Sequence, residues 1–412
     1  MATEEERKFL QFAKTGDFDE LKNLLSVVDV NHKGEEGMTA LMYAAYKGSV
    51  NSVELLLHNG ADPNIDSTKD KYTPLMFATL SGSTDTVRTL LQAGAKPDAV
   101  NTIKRTAAQL GAFVGRHDCV SVINNFVQTD QIKYYTKTHG FEKTAKLDDK
   151  LAENVHKMVV IPNLNPVKLV LYIQDHIELI PASKEVLYVL ETEVEKSFKD
   201  VNEVLSIKLH IFSHVFKKCV AWETGKEGKQ GIKGLLKFLL KGRPADGFLL
   251  NIEFLLRDSM RSFPYAQSNL FKQIIKSLSS TELGKPPSAI TILTQSINGM
   301  QSADFSECCT CCGDRHCFNK CSACKMVRYC NAACQKLHWS SHKPFCADLK
   351  VKYEELQRIQ KLEKEQEEKA KLEKERLEME KEKSQIEELE TEKENETKNF
   401  EQLEINGDGN ES

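Results

Sequence analysis

Thr39–Gly48 reads TALMYAAYKG, Thr73–Gly82 reads TPLMFATLSG and Thr106–Gly115 reads TAAQLGAFVG, so one ten-residue phrase starts three times at intervals of 34 and 33 residues. A fixed period of this length marks a solenoid, in which each unit buries its apolar face against its neighbours. Gly48, Gly82 and Gly115 keep the interval, as do the turns Asn59–Asp62 and Ala93–Lys96, and glycine suits the left-handed position between helices. A weaker copy lies around Ala13–Leu25, with the turn Thr15-Gly16-Asp17. Its polar start, Glu4, Glu5 and Glu6, is what a capping unit needs where its outer face meets water.

Ten of the twelve cysteines crowd between Cys308 and Cys346. Eight groups there form four pairs: Cys309/Cys312, Cys321/Cys324, Cys330/Cys334 and His342/Cys346. Two-residue and three-residue gaps let a pair reach one metal ion from a knuckle or a helical turn, and eight ligands fill two closed tetrahedral zinc sites. With no position left for water, both ions read as structural, and free thiols beside zinc ligands suit a reducing compartment rather than a disulfide framework. Cys308/Cys311 offers the same two-residue gap one position out of register, so the first ligand pair has two candidates. Seven thiolates around two Zn2+ leave the centres at −3, and Arg315, Lys320, Lys325, Arg328, Lys336 and Lys343 offset this against Asp314 and Asp348. That accounts for the basic surplus without nucleic acid.

The spacing C-x2-C-x8-C-x2-C-x5-C-x3-C-x7-H-x3-C from Cys309 to Cys346, with Tyr329 before Cys330, resembles the MYND zinc finger. Gly313 and the eight-residue gap favour Cys309/Cys312 in that family's register. The resemblance implies interleaved, cross-braced ligands: Cys309, Cys312, Cys330 and Cys334 for one ion, and Cys321, Cys324, His342 and Cys346 for the other. Asn331 is placed to cap a helix starting at Ala332, with Cys334 in its first turn. In such fingers Gln335 and Trp339 resemble the wall of a shallow groove for short proline-containing peptides; the alternative is that Trp339 packs over the zinc knuckle. His338 is expected to face away as an exposed histidine.

The N-terminal phrases are similar to ankyrin repeats, two good copies with a degenerate copy at each end, over residues 1–126. That resemblance puts Met38, Tyr46, Lys47, Tyr72, Leu80, Ser81, Arg105, Phe113 and Val114 on the concave face. Six are large and apolar (Met38, Tyr46, Tyr72, Leu80, Phe113 and Val114), and a bare stripe of this kind marks a docking surface for another protein or for the chain's own middle region.

Residues 127–300 read as a helical middle domain. Apolar spacing of 3.6 residues predicts helices over Val167–Ile180, Val186–Phe198, Val204–Val220, Ile232–Leu240, Phe248–Met260 and Leu270–Leu278, punctuated by Pro162, Pro166, Pro181, Pro244, Pro264 and Pro286-Pro287. His210 and His214 sit one turn apart, but Ile211 stands where a metalloprotease carries Glu, so they read as packed histidines. Gly225, Gly228 and Gly231 lack a preceding strand and the G-x4-G-K-[ST] arrangement of a phosphate loop.

Residues 351–412 hold twelve Lys and Arg against twenty-one Asp and Glu, a net of −9, leaving +5 on the remainder. Such a tail repels nucleic acid and anionic membrane. It reads as a solvated charged helix over 350–412 that frays into a disordered acidic tail after Asn395, with Glu365/Lys369 and Glu367/Lys371 as supporting pairs. Leu356, Ile359, Leu362, Leu372, Leu377, Met379, Ile386 and Leu389 do not sustain a heptad, although a coiled-coil dimer through the tail is the alternative. The start Met1-Ala2-Thr3-Glu4 reads as neither a signal peptide nor a myristoylation site, and no apolar run is long enough to cross a bilayer.

The expected fold is therefore mainly α: an N-terminal ankyrin solenoid, a helical middle domain, a small cross-braced two-zinc MYND finger at 309–346, and a C-terminal charged helix. This order resembles the ankyrin repeat and MYND domain-containing proteins. The resemblance implies a cytoplasmic, non-enzymatic adaptor that binds other proteins and serves trafficking of signalling components to the cilium. Two alternatives are a nuclear co-repressor adaptor, which would recruit proline-containing peptides, and a MYND-containing lysine methyltransferase, whose SET motifs are not found in this sequence. No nucleophile and base stand in a recognisable catalytic setting, and no metal beyond two structural Zn2+ is expected.

Overall fold

The structure, a computed structural model, describes residues 3–299, 307–315 and 317–405, with side chains through residue 379 and at 381 and 383. The chain divides into two compact units, one of residues 1–321 and 327–345, the other of residues 322–326 with the chain from 346 onward.

The first unit opens with four helix pairs: α1 (Glu4–Thr15) and α2 (Phe18–Leu24), α3 (Ala40–Lys47) and α4 (Val50–His58), α5 (Pro74–Ser81) and α6 (Thr84–Gln92), α7 (Ala107–Phe113) and α8 (His117–Asn124). The repeated threonine explains each start. Thr39, Thr73 and Thr106 accept from the backbone N–H three residues on, at Met42, Met76 and Gln109, satisfying a donor the helix cannot. Gly48 and Gly82 end their helices at φ +75° and +86°, where a side chain would be strained. The packed face is apolar and small: Ala40, Leu41, Ala44, Ala45, Leu75, Met76 and Ala78 are all buried. An asparagine clasps successive units. Asn31 Nδ2 donates to Gly60 O at 3.2 Å while its Oδ1 accepts from Asp62 N at 2.9 Å; Asn64 repeats this with Gly94 O at 3.1 Å and Lys96 N at 2.9 Å.

The helical region follows as α9 (Thr129–Lys133), α10 (Asp149–Val159), α11 (Pro166–Asp175), α12 (Ser183–Lys199), α13 (Glu203–Glu223), α14 (Gly231–Leu239), α15 (Leu250–Arg261), α16 (Asn269–Ser279) and α17 (Ala289–Asn298). The predicted Val167–Ile180 helix breaks at His176, whose backbone leaves the helical region while its Nδ1 lies 2.9 Å from the Tyr172 carbonyl; a 3-10 turn, Ile177–Leu179, completes the span. Long α13 is the hub, burying residues on several faces, including the whole Lys208 side chain. Lys208 Nζ donates to the Val159 carbonyl at the end of α10 (2.6 Å), and burial pushes its pKa well below the usual lysine value. Glu253, also buried, accepts from Arg257 Nε at 2.7 Å and from the first N–H of α17, at Ala289, at 2.8 Å; Arg257 donates in turn to Leu278 O at 2.7 Å. The Glu253–Arg257 pair thus ties three helices. The domain boundary expected at Met300 lies outside the described residues.

Helix α17 packs against α8, and Asn124 Nδ2 donates to Ile297 O at 2.9 Å. The helical region therefore meets the repeats at their last helix.

In the second unit, the charged helix α19 (Cys346–Ile405) runs ten residues past the fraying point expected at Asn395; residues 406–412 and the side chains of Ile386 and Leu389 lie outside the described residues. Leu356, Ile359, Leu362, Leu372, Leu377 and Met379 are exposed along it. Lys361–Glu365 and Lys374–Glu378 approach to 3.9 Å with lysine leading, the weaker of the two orders on a helix. Among the described residues, no helix is long and apolar enough to cross a membrane.

Candidate metal centres and docking surfaces

The finger is built on a two-stranded antiparallel ribbon, β1 (Asn319–Lys320) and β2 (Arg328–Tyr329), followed by α18 (Ala332–His342). A 3-10 turn, Lys343–Phe345, precedes Cys346 and holds Pro344, which has no N–H for a continuous helix. Cys309 and Cys312 sit in a knuckle closed by Gly313 N donating to Cys309 O (2.8 Å) and Cys309 N donating to Asp314 O (2.7 Å). Cys330 leaves β2, and Cys334 lies in the first turn of α18, where its N–H donates to Asn331 Oδ1 at 2.8 Å, the expected cap.

Two ligand quartets result. The sulfurs of Cys309, Cys312, Cys330 and Cys334 lie within 4.8 Å of one another, with Cys330–Cys334 at 3.3 Å and Cys312–Cys330 at 3.7 Å. The ligand atoms of Cys321, Cys324, His342 and Cys346 meet the same limit. The first pair is thus Cys309/Cys312, and Cys308, Cys311 and Cys317 are buried outside both quartets.

The donor chemistry fits zinc. In the first quartet, hydrogen bonds from Cys312 and Cys334 hold the Cys309 thiol low, while the contact with Cys309 pushes Cys312 and Cys334 far up, so these three thiols cannot all ionise on their own. A dication at their centre removes that conflict. In the second, burial lowers the His342 pKa, favouring the neutral imidazole that a metal needs. Four-sulfur and three-sulfur, one-nitrogen sets with no open position are structural zinc sites.

His338 differs from expectation. It is buried, 3.1 Å through Nδ1 from Tyr329 Oη, and burial followed by the nearby His342 pushes its pKa down to about 4. Position 338 is one turn from Cys334 and His342, so it faces the finger's interior, where Tyr329 needs a partner. Trp339 packs edge-on to His342, ring centroids 5.8 Å apart, yet stays 41% exposed; Gln335 is half-buried one turn away. Both readings of Trp339, packing and groove wall, have a geometric basis. His210 and His214 each meet a partner in α15: Ser259 O at 2.9 Å and the Asp258 carboxylate at 3.3 Å.

On the repeats, Tyr46 and Phe113 are 60% and 85% exposed and Val114 is exposed, while Met38, Tyr72 and Leu80 are half-buried. Tyr72 and Tyr46 both pack against Phe77, at centroid distances of 5.5 and 6.1 Å. They line a groove of about 1260 Å³ with Met38 and Tyr43, flanked by Lys14, Lys47 and Lys69 and by Glu35, Glu36 and Asp70. Every residue lining the groove belongs to the repeats, and Tyr46 stays exposed on it, while α17 docks on α8.

Sequence reading missed Asn163 and Lys168, which reach the finger from the helical region: Asn163 Nδ2 donates to Cys312 O at 2.9 Å, and Lys168 Nζ to Asp314 Oδ2 at 2.7 Å. Burial works against the Lys168 charge, but Asp314 and the neighbouring Cys312 and Cys330 outweigh it and raise its pKa. Their only local signal was the Asn-x-Asn-Pro start of α11.

Residues 9–101 match the family model of ankyrin repeats, in three copies, and residues 309–346 match that of the MYND finger. Dauer abnormal formation protein 25 of Caenorhabditis elegans is 31% identical over 326 residues, which cover 77% of this chain and 84% of that protein. Ankyrin repeats and MYND fingers are modules that bind other proteins. The chain is accordingly a protein-interaction adaptor and belongs to the family of ankyrin-repeat, MYND-finger proteins that includes Dauer abnormal formation protein 25.

Proposed function

We propose that the chain is a non-enzymatic, cytoplasmic adaptor that presents two docking surfaces and serves the trafficking of signalling proteins to the cilium. The observation that carries the docking part is the open aromatic groove on the repeats, with Tyr46 60% exposed beside Tyr72 and Phe77. Aromatic anchors flanked by equal numbers of cations and anions suit a protein segment rather than a polyanion. The finger supplies the second surface, with Gln335 and Trp339 receiving a proline-containing peptide, while its two zinc ions hold the wall in place. The trafficking assignment follows the family resemblance.

Proximity labelling in ciliated cells tests this with the intact chain, a Tyr46→Asp/Phe113→Asp chain and a Trp339→Ala chain. Each variant is expected to lose a defined and different set of neighbours, with ciliary signalling proteins among them. Neighbour sets identical to those of the intact chain would overturn the docking assignment. An exclusively nuclear tagged protein would overturn the trafficking role and favour the co-repressor reading.

A further inference from the structure

The Asn163–Lys168 segment starts a helix and grips the finger at once. Asn165 Oδ1 accepts from Val167 N at 3.0 Å and Pro166 fills the first turn of α11. Two residues earlier, Asn163 Nδ2 donates both to the Cys312 carbonyl (2.9 Å) and to Asp314 Oδ1 (3.0 Å), while its own Oδ1 accepts from Asn165 N at 2.9 Å, which fixes the amide's orientation. Lys168, on the first turns of α11, takes the other Asp314 oxygen. Gly313 makes the approach possible. Its φ is +77°, and a Cβ there would stand 3.1 Å from Asn165 Cβ and 3.2 Å from Asn163 Oδ1.

Charge shows what the grip is for. Four thiolates around Zn2+ carry −2, and Asp314, two residues past the ligand Cys312, adds a further negative charge to the same loop. Lys168 meets Asp314 directly, and with Lys233, Lys237 and Lys336 it lines a cleft of about 610 Å³ that also reaches Cys312, Cys330 and Cys334. Asp175, Asp314 and the metal centre balance those four cations, so the cleft is neutral when metal is bound and has no surplus for an anionic ligand. The repeats touch the same loop through Arg315–Asp118 at 3.1 Å, but both side chains are more than a third exposed, and such a pair contributes little.

We infer that Asn163 and Lys168 are positioning residues for the first zinc site: the helical region supplies that site's outer hydrogen bonds and counter-charge, so metal occupancy and docking of α11 on the finger form one coupled equilibrium. Outer-shell partners of this kind typically change metal affinity by about 10–100-fold. Coupling is reciprocal, so zinc at the first site also holds α11.

The test uses the full chain loaded with two 113Cd ions, whose resonances separate a four-sulfur site from a three-sulfur, one-nitrogen site, followed by zinc release from the zinc-loaded chain to a chromogenic chelator. Asn163→Ala and Lys168→Met are expected to shift or broaden the four-sulfur resonance alone and to speed release of one ion about 10-fold. Lys168→Arg should restore both, and Asp118→Asn should change neither. Hydrogen exchange supplies the reciprocal arm: removing the first ion should raise exchange across residues 165–175. Unchanged spectra and release in both variants would overturn the inference. Equal effects on both ions would also overturn it, since that is general destabilisation, as would α11 protection that survives metal removal.

Discussion

The repeats and the helical region are both stacks of short helices, yet they specify themselves by opposite means. In the repeats most buried polar groups are small and bond locally: Thr39 and Thr73 cap their own helices, and Thr79 Oγ1 donates to Leu75 O at 2.7 Å. The same few bonds recur, so no single one defines the array. In the helical region the core encloses Glu193, Lys208 and Glu253, each used once and each joining segments far apart in sequence. A repeated unit spreads its instructions thinly; a one-off core concentrates them in a few costly polar anchors, where a missing partner leaves a buried charge.

The sharpest way to break this contrast is Glu253→Ala. It strands the Arg257 guanidinium and the Ala289 N–H, and is expected to cost about 3–5 kcal/mol in denaturant unfolding, with faster hydrogen exchange over α15–α17 and little change in α3–α6. A loss below about 1 kcal/mol would remove the claim that the region depends on such anchors.

Acid provides the next discrimination. Burial, opposed by the hydrogen bond to Ser259 O, pushes the His210 pKa down to about 4. Between the unfolded value near 6.5 and about 4 the unfolded chain binds the proton that the folded chain refuses, so stability falls as pH drops through this window and is fully present above it. The contribution is about 3 kcal/mol at most, at roughly 1.4 kcal/mol per pH unit. Since zinc ligands also take up protons in acid, the measurement is the difference between wild type and His210→Gln: the wild-type unfolding free energy should fall more steeply than the variant's as pH drops from 6.5 to 4. Parallel curves would contradict the assignment.

The smallest effect is expected in the repeats. Thr73→Ala removes one cap of several and should cost about 1 kcal/mol, without altering the metal content read by native mass spectrometry. A cost of several kcal/mol would mean that this array, too, hangs on single residues.

The contrast also explains what could be read without coordinates. Repeat helices were legible because Thr, the apolar pairs and Gly recur at fixed offsets, and the four ligand pairs because ligand spacing is local chemistry; their sorting into two quartets came with the family resemblance. Six helices of the middle region showed through their apolar spacing. Helices α9 and α10 and the β-branched run Ala289–Asn298 did not, because the first is five residues long and the last takes its helical form from packing against α8, α15 and α16. His338 was misjudged because its partner Tyr329 lies on β2, a different element from its own helix. Asn163 and Lys168 were invisible for a stronger reason: their partners lie some 150 residues away, and only the tertiary fold brings them together.

The asparagine clasps give the array a mechanical direction. Asn31 and Asn64 rivet the first unit to the second and the second to the third, but the position 33 residues on is Pro97, which offers neither an amide nor an acceptor side chain. Under tension the last junction has no such rivet, so slack enters beside α8. That is the helix on which the rest of the unit is mounted, and strain arriving from either side would be taken up there before the paired repeats behind the aromatic groove come apart.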